Sequence, residues 1–148
     1  MGSRRSGREA CLQCLYLIDV CNVSERESLH IIASADTQQE GGSKAATGET
    51  YEFAKTLLTG IVVNLPKLDE AIERYCHNWK LKRMAAIDRN ILRMAAYEIL
   101  HCLGTPEKVI INEAVEIAKK YSTDDSGKFV NGILDRIKNE RTGVPGKD

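Results

Sequence analysis

The chain has 148 residues, with 21 Lys and Arg balanced by 21 Asp and Glu, so its formal net charge is zero. One sizeable core fits in that length, the 43% hydrophobic content argues against wholesale disorder, and no apolar run reaches the roughly 20 residues that span a bilayer. A neutral total excludes a uniformly basic coat for nucleic acid, though not a local basic site.

The N-terminus, Met1-Gly2-Ser3-Arg4-Arg5, is basic but leads into Glu9 and Gln13 rather than an apolar stretch, which argues against a signal peptide. Cys11, Cys14, Leu15, Ile18 and Cys21 then follow the spacing of one helical face. Ser24 and Glu27 form an S-x-x-E capping box that starts a second helix containing Leu29, Ile32 and Ala33. Residues 37–48 are polar and Gly-rich and read as a flexible loop. Ala54, Leu57, Leu58, Ile61, Val62 and Leu65 make a full amphipathic stripe. Pro66 suits the opening of a fourth helix, whose buried face is Leu68, Ile72, Tyr75, Cys76 and Trp79.

A fifth stripe runs through Met84, Ile87, Ile91, Ala95 and Ile99, with Gly104 placed as its C-terminal stop. After Thr105-Pro106 comes Ile110, Ala114, Ile117, Ala118 and Tyr121, broken by Ser122-Thr123-Asp124-Asp125. Phe129, Val130, Ile133, Leu134 and Ile137 mark a seventh helix, and residues 141–148 read as a frayed tail. Val109-Ile110-Ile111 is too short to outweigh the helical stripe it opens. The pattern is all-α, with about seven helices and no internal repeat.

Little of this looks catalytic. Five scattered cysteines, an odd number for a disulfide scaffold, read as reduced thiols of a cytoplasmic protein. Cys11-x-x-Cys14 has redox spacing but lacks a βαβ context and sits on an apolar stripe, where packing explains it better. Cys76-His77 and His101-Cys102 are adjacent pairs, which point apart on a helix and make poor metal clamps. Ser126-Gly127-Lys128-Phe129 lacks the earlier Gly and the following Ser or Thr of a phosphate loop. Asp69/Glu73 and Glu113/Glu116 are more simply solvated faces. No catalytic residue, metal site or cofactor is expected.

The charges are unevenly placed. Residues 24–52 hold six acids against two bases, and residues 80–104 hold five bases against two acids. Residues 126–148 hold five bases against three acids, and Arg4, Arg5 and Arg8 precede the first acid. Arginines leading into a helix can solubilise its start, or can reach phosphates and stack on bases. They oppose the helix macrodipole, a mild conflict that favours use by an anionic partner.

Arg4-Arg5-x-x-Arg8-Glu9-Ala10 with Gln13-x-Leu15-Tyr16 resembles the N-terminal signature of the NusB family of bacterial transcription antitermination factors. Ile87-Asp88-Arg89-Asn90-Ile91-Leu92-Arg93-Met94-Ala95-Ala96-Tyr97-Glu98 is similar to that family's central block. Thr105-Pro106-x-x-Val109, Ile111-Asn112-Glu113-Ala114-Val115-Glu116-Ile117-Ala118-Lys119, and Asp125-Ser126-x-Lys128-Phe129-Val130-Asn131-Gly132-Ile133-Leu134-Asp135 are similar to its later blocks. In order, they cover most of residues 4–137. Ser6-Gly7 departs from the pattern by interrupting the Arg run that many members carry.

The resemblance implies a single RNA-binding domain over residues 1–148, folded as two small, packed, roughly perpendicular helical bundles with residues 1–8 as a basic arm. It implies binding of single-stranded boxA RNA in nascent ribosomal-RNA-operon transcripts, together with the small-subunit ribosomal protein NusE and the RNA polymerase antitermination complex. The matching RNA positions are Arg4, Arg5, Arg8, Gln13, Tyr16, Lys128 and Phe129, and the NusE candidates are Arg83, Arg89, Arg93 and Glu98. The protein is expected to be cytoplasmic, without membrane association, as a monomer or a homodimer. Tyr16 and Phe129 fit core stripes as well as stacking platforms, and Asn112 and Asn131 suit caps or buried hydrogen bonds better than base reading. Gly132, inside a helix, suggests a close helix crossing. The competing functions are an RNA-binding accessory of an rRNA methyltransferase-type system and a protein-interaction scaffold that does not touch RNA.

Overall fold

The computed structural model describes residues 2–37, 48–76 and 81–141. They form seven α-helices: α1 (Gly2–Cys21), α2 (Glu25–Thr37), α3 (Gly48–Val63), α4 (Leu65–Arg74), α5 (Ala86–His101), α6 (Glu107–Tyr121) and α7 (Asp124–Ile137). Short 3-10 turns cover Leu81–Arg83 and Lys138–Glu140, and there is no strand among the described residues. The chain divides into two compact units, Met1–Val63 and Asn64–Asp148, in keeping with the expectation of two small helical bundles.

In the first unit α1 packs against α3 and α2. Cys11, Cys14 and Leu15 are buried as the periodicity predicts, joined by Leu12 and, from α3, by Ala54, Leu57, Leu58 and Ile61. The α1 stripe weakens towards its end, where Ile18 is half-buried and Cys21 exposed. The helix stops there because Asn22 turns left-handed at φ 60°, a conformation that Asn tolerates at helix ends. Ser24 caps α2 as expected, its Oγ accepting from the Glu27 amide at 3.0 Å. Residues 2–8, expected as an arm, are the opening turns of α1. Residues 38–47 of the expected loop lie outside the described residues, and Thr37 and Gly48 end α2 and begin α3.

In the second unit α5 packs against α4, α6 and α7. The core takes Leu68 and Ile72 from α4, Ile91, Ala95 and Ile99 from α5, Ile110, Ala114 and Ile117 from α6, and Val130, Ile133, Leu134 and Ile137 from α7. Tyr75, Ile87 and Tyr121 are half-buried, and Trp79 lies outside the described residues. Pro66 sits in the first turn of α4. Helix α5 ends at His101 rather than at Gly104, which lies in the following turn without the left-handed φ of a glycine cap. Thr123 caps α7, its Oγ1 accepting from the Ser126 amide at 3.0 Å.

The glycine expected at a close crossing is also a different one. A Cβ on Gly132 would meet nothing within 4 Å, whereas one on Gly127 would lie 3.1 Å from Lys119 Cγ and 3.5 Å from Val115 Cγ1. The close approach of α6 and α7 is therefore at Gly127. Arg141, expected to begin the tail, is instead buried, its Nη2 donating to the Cys102 and Thr105 carbonyls at 2.9 and 2.6 Å. Residues 142–148 lie outside the described residues.

Packing accounts for the C-x-x-C spacing, since Cys11 and Cys14 both face the core of the first unit. Burial raises the Cys14 thiol pKa and pushes that of Cys76 up to about 11. A thiol reagent at about pH 8 is expected to modify exposed Cys21 rapidly and Cys11, Cys14 and Cys76 only as the protein unfolds. Peptide mapping of the labelled protein checks this, and rapid labelling of Cys11 or Cys14 would contradict the packing.

Candidate nucleic-acid interface

Two faces of α1 carry the N-terminal site residues. Arg5, Glu9, Gln13 and Tyr16 recur at helical spacing and share one face, on which Gln13 is exposed and the others are half-buried. Arg4 and Arg8, one turn apart, share the adjoining face and converge on Phe53 of α3. The guanidinium carbons lie 4.4 Å and 5.4 Å from the Phe53 ring centroid. Like charges one turn apart repel by about 0.2–0.5 kcal/mol, whereas a cation–π contact returns about 0.5–1 kcal/mol when exposed, as for Arg4, and up to about 2 kcal/mol when desolvated, as for Arg8, so the ring makes the pair tolerable.

Gly7 belongs to the same arrangement. A Cβ at this position would stand 2.6 Å from Phe53 Cδ2 and 3.3 Å from the Thr50 carbonyl oxygen. The interruption of the Arg run therefore has a steric cause, because the ring needs the space that a side chain would fill.

Arg4 is exposed and Arg5 half-buried, but Arg8 is only 4% exposed. Little of Arg8 therefore faces outward in this structure, where its guanidinium lies against Phe53 inside the first unit. Phe53 precedes the α3 apolar stripe, which begins at Ala54, so periodicity does not single it out. The available signal was Gly7, since glycine within a helix costs about 1 kcal/mol and needs a close neighbour to justify it.

Lys128 and Phe129 lie on α7 in the second unit. Lys128 is exposed, and Phe129 is half-buried at a cleft of about 270 Å³ that it lines with Arg83, Met84, Asp88, Asp125 and Ser126. Asp88 Oδ2 accepts from Ser126 Oγ at 3.1 Å, while its Oδ1 is buried without a hydrogen-bond partner. Burial raises the Asp88 pKa, against the lowering effect of the Ser126 and Ser122 hydroxyls. Asn112 and Asn131 are exposed rather than buried, and both line a groove along α6 and α7.

Three of the four expected protein-interface residues are committed internally. Arg89 Nη1 donates to the carbonyls of Leu81, Lys82 and Met84 at 3.2–3.4 Å, closing the 3-10 turn ahead of α5. Arg93 donates to both Asp69 carboxylate oxygens at 2.8 and 3.0 Å and to Asn90 Oδ1 at 3.0 Å. Glu98 is 2% exposed. Arg83 is the exposed member of the set. The excess of bases in residues 80–104 is thus partly internal wiring rather than a surface patch.

Among the described residues no group of His, Cys, Asp and Glu could hold a metal ion, and no helix is long and apolar enough to cross a membrane. Fold and surface define an all-helical protein with a local arginine-bearing face on its first helix. The chain belongs to the NusB family, which it matches over residues 5–139. It is 40% identical over 137 residues to the transcription antitermination protein NusB of Myxococcus xanthus (strain DK1622), covering 93% of this chain and 95% of that protein. Among solved structures, T. maritima NusB is 38% identical with a TM-score of 0.80, covering 93% of this chain and 92% of that one. The fold also matches a crystal structure of antitermination factors NusB and NusE in complex with dsRNA, at 24% identity and a TM-score of 0.82, covering 95% of this chain and 98% of that one.

Proposed function

We propose that this chain is a transcription antitermination factor that binds boxA RNA of nascent ribosomal-RNA-operon transcripts together with NusE, acting in the cytoplasm as a non-enzymatic adaptor of the RNA polymerase complex. The observation that carries this reading is the match to the NusB family over residues 5–139. The α1 surface supports it chemically: Arg4 and Arg5 supply phosphate-directed cations, Gln13 supplies both a donor and an acceptor, and Tyr16 supplies an aromatic edge or face. Lys128 and Phe129 offer the same combination on the second unit. Arg8 contributes by holding the α1–α3 packing. Arg83 is the retained candidate for the protein interface.

A titration of boxA RNA against a scrambled RNA of equal length, with and without NusE at physiological salt, tests this reading. Preference for boxA, strengthened by NusE, is expected. Equal affinity for the two RNAs in the presence of NusE would overturn it.

A further inference from the structure

We infer that Phe53 is a positioning residue of the α1 RNA surface: its ring fixes the guanidinium of Arg4 before RNA arrives, and position 7 is glycine so that the ring can reach it. The inference rests on the RNA-binding reading above. Arg4 lies in the opening turns of α1, where a helix has no preceding turn to restrain it. A long side chain there must surrender its rotamer freedom when it binds a phosphate or base. Here much of that freedom is already lost, because the guanidinium carbon lies 4.4 Å from the centroid of a ring anchored on a different helix. Arg4 nevertheless remains exposed, so its outer face and N–H edge stay available to an anionic ligand.

Two further features converge on the same ring. Arg8, itself buried, lies 5.4 Å from the same ring centroid and so adds a second contact between the ring and α1. Gly7 leaves room for the ring edge, and a Cβ in its place would stand 2.6 Å from Cδ2. Such a contact can be relieved only by moving the ring or the helix.

The test uses the full chain with NusE and labelled boxA RNA, following affinity and, separately, thermal unfolding. Phe53→Leu keeps apolar bulk but removes the π face, and is expected to weaken RNA binding about two- to fivefold, the equivalent of one exposed cation–π contact. Phe53→Tyr retains the face and is expected to bind like the parent. In an Arg4→Ala background, Phe53→Leu should have no further effect. Gly7→Ala should weaken binding when Phe53 is present and do nothing more in Phe53→Leu.

Parental affinity for Phe53→Leu, equal losses for Leu and Tyr, or additive losses for Arg4→Ala and Phe53→Leu would overturn the inference. If Phe53→Leu fails to fold, Phe53→Tyr and Gly7→Ala decide the matter: a parental Gly7→Ala sinks it. Failure of the parent to prefer boxA sinks the RNA reading itself, whereas boxA preference with an indifferent Phe53 sinks the positioning role alone.

Discussion

Arg141→Met is expected to lower the unfolding free energy by about 1–3 kcal/mol, the cost of withdrawing a charged donor from two backbone acceptors. Helix α5 ends at His101, and in the turn that follows the Cys102 carbonyl accepts from the Thr105 amide at 3.0 Å. Arg141 Nη2 serves the Cys102 and Thr105 carbonyls at 2.9 and 2.6 Å, and its Nη1 lies 3.8 Å from Glu107 at the start of α6. One side chain thus ties the residue after the last 3-10 turn to the α5–α6 connection. Two considerations keep the figure below that of a fully buried ion pair: the carbonyls are only partly buried, and Arg141 Nε is itself buried without a partner. Methionine fills similar space and relieves that second penalty. Arg141→Lys should cost less, since one ammonium, like Nη2, can donate to both carbonyls, though it lacks the second nitrogen that approaches Glu107. Urea unfolding would show a lower midpoint with an unchanged slope, and a midpoint equal to that of the parent would remove the clasp from the account.

Apolar periodicity made the helices legible. Leu57, Leu58 and Ile61, or Val130, Ile133 and Leu134, repeat at helical spacing because each helix must bury one face, and the fold buries them there. The S-x-x-E signal at Ser24 was legible for a similarly local reason, since cap and amide are three residues apart. Arginine roles were not. A count of charges treats every guanidinium as surface, yet Arg8, Arg89, Arg93 and Arg141 all spend theirs internally. Their partners are a ring on another helix, the carbonyls of a 3-10 turn, a carboxylate 24 residues away and a turn 36–39 residues away. No local pattern announces a carbonyl that lacks a helical partner, so charge partition overstated the basic surface of residues 80–104 and 126–148. Glycine was misread for the same reason: whether Gly7, Gly127 or Gly132 needs the missing side chain depends on what stands opposite, which a single helix does not reveal.

Once the internal arginines are set aside, the exposed cations among the proposed RNA residues are Arg4 on the first unit and Lys128 on the second. Salt dependence can test them separately. Each phosphate contact to single-stranded RNA contributes about 0.7 to the slope of log affinity against log salt, so losing one at about 0.15 M salt costs about fourfold. Arg4→Ala and Lys128→Ala are each expected to flatten the slope by about 0.7 and, combined, to flatten it by about 1.4 with roughly a 14-fold loss of affinity. Additivity is expected because the two side chains belong to different units and would neutralise different phosphates. The measurement is RNA affinity in the presence of NusE across a salt series, with unfolding curves confirming that both variants remain folded. An unchanged slope for Lys128→Ala beside a flattened one for Arg4→Ala would confine the phosphate contacts to α1 and leave α7 to base or protein recognition. An unchanged slope for Arg4→Ala would be more serious. With Arg8 buried, it would leave Arg5 as the remaining proposed arginine of the opening turns, and the positioning role of Phe53 would lose the side chain that it positions.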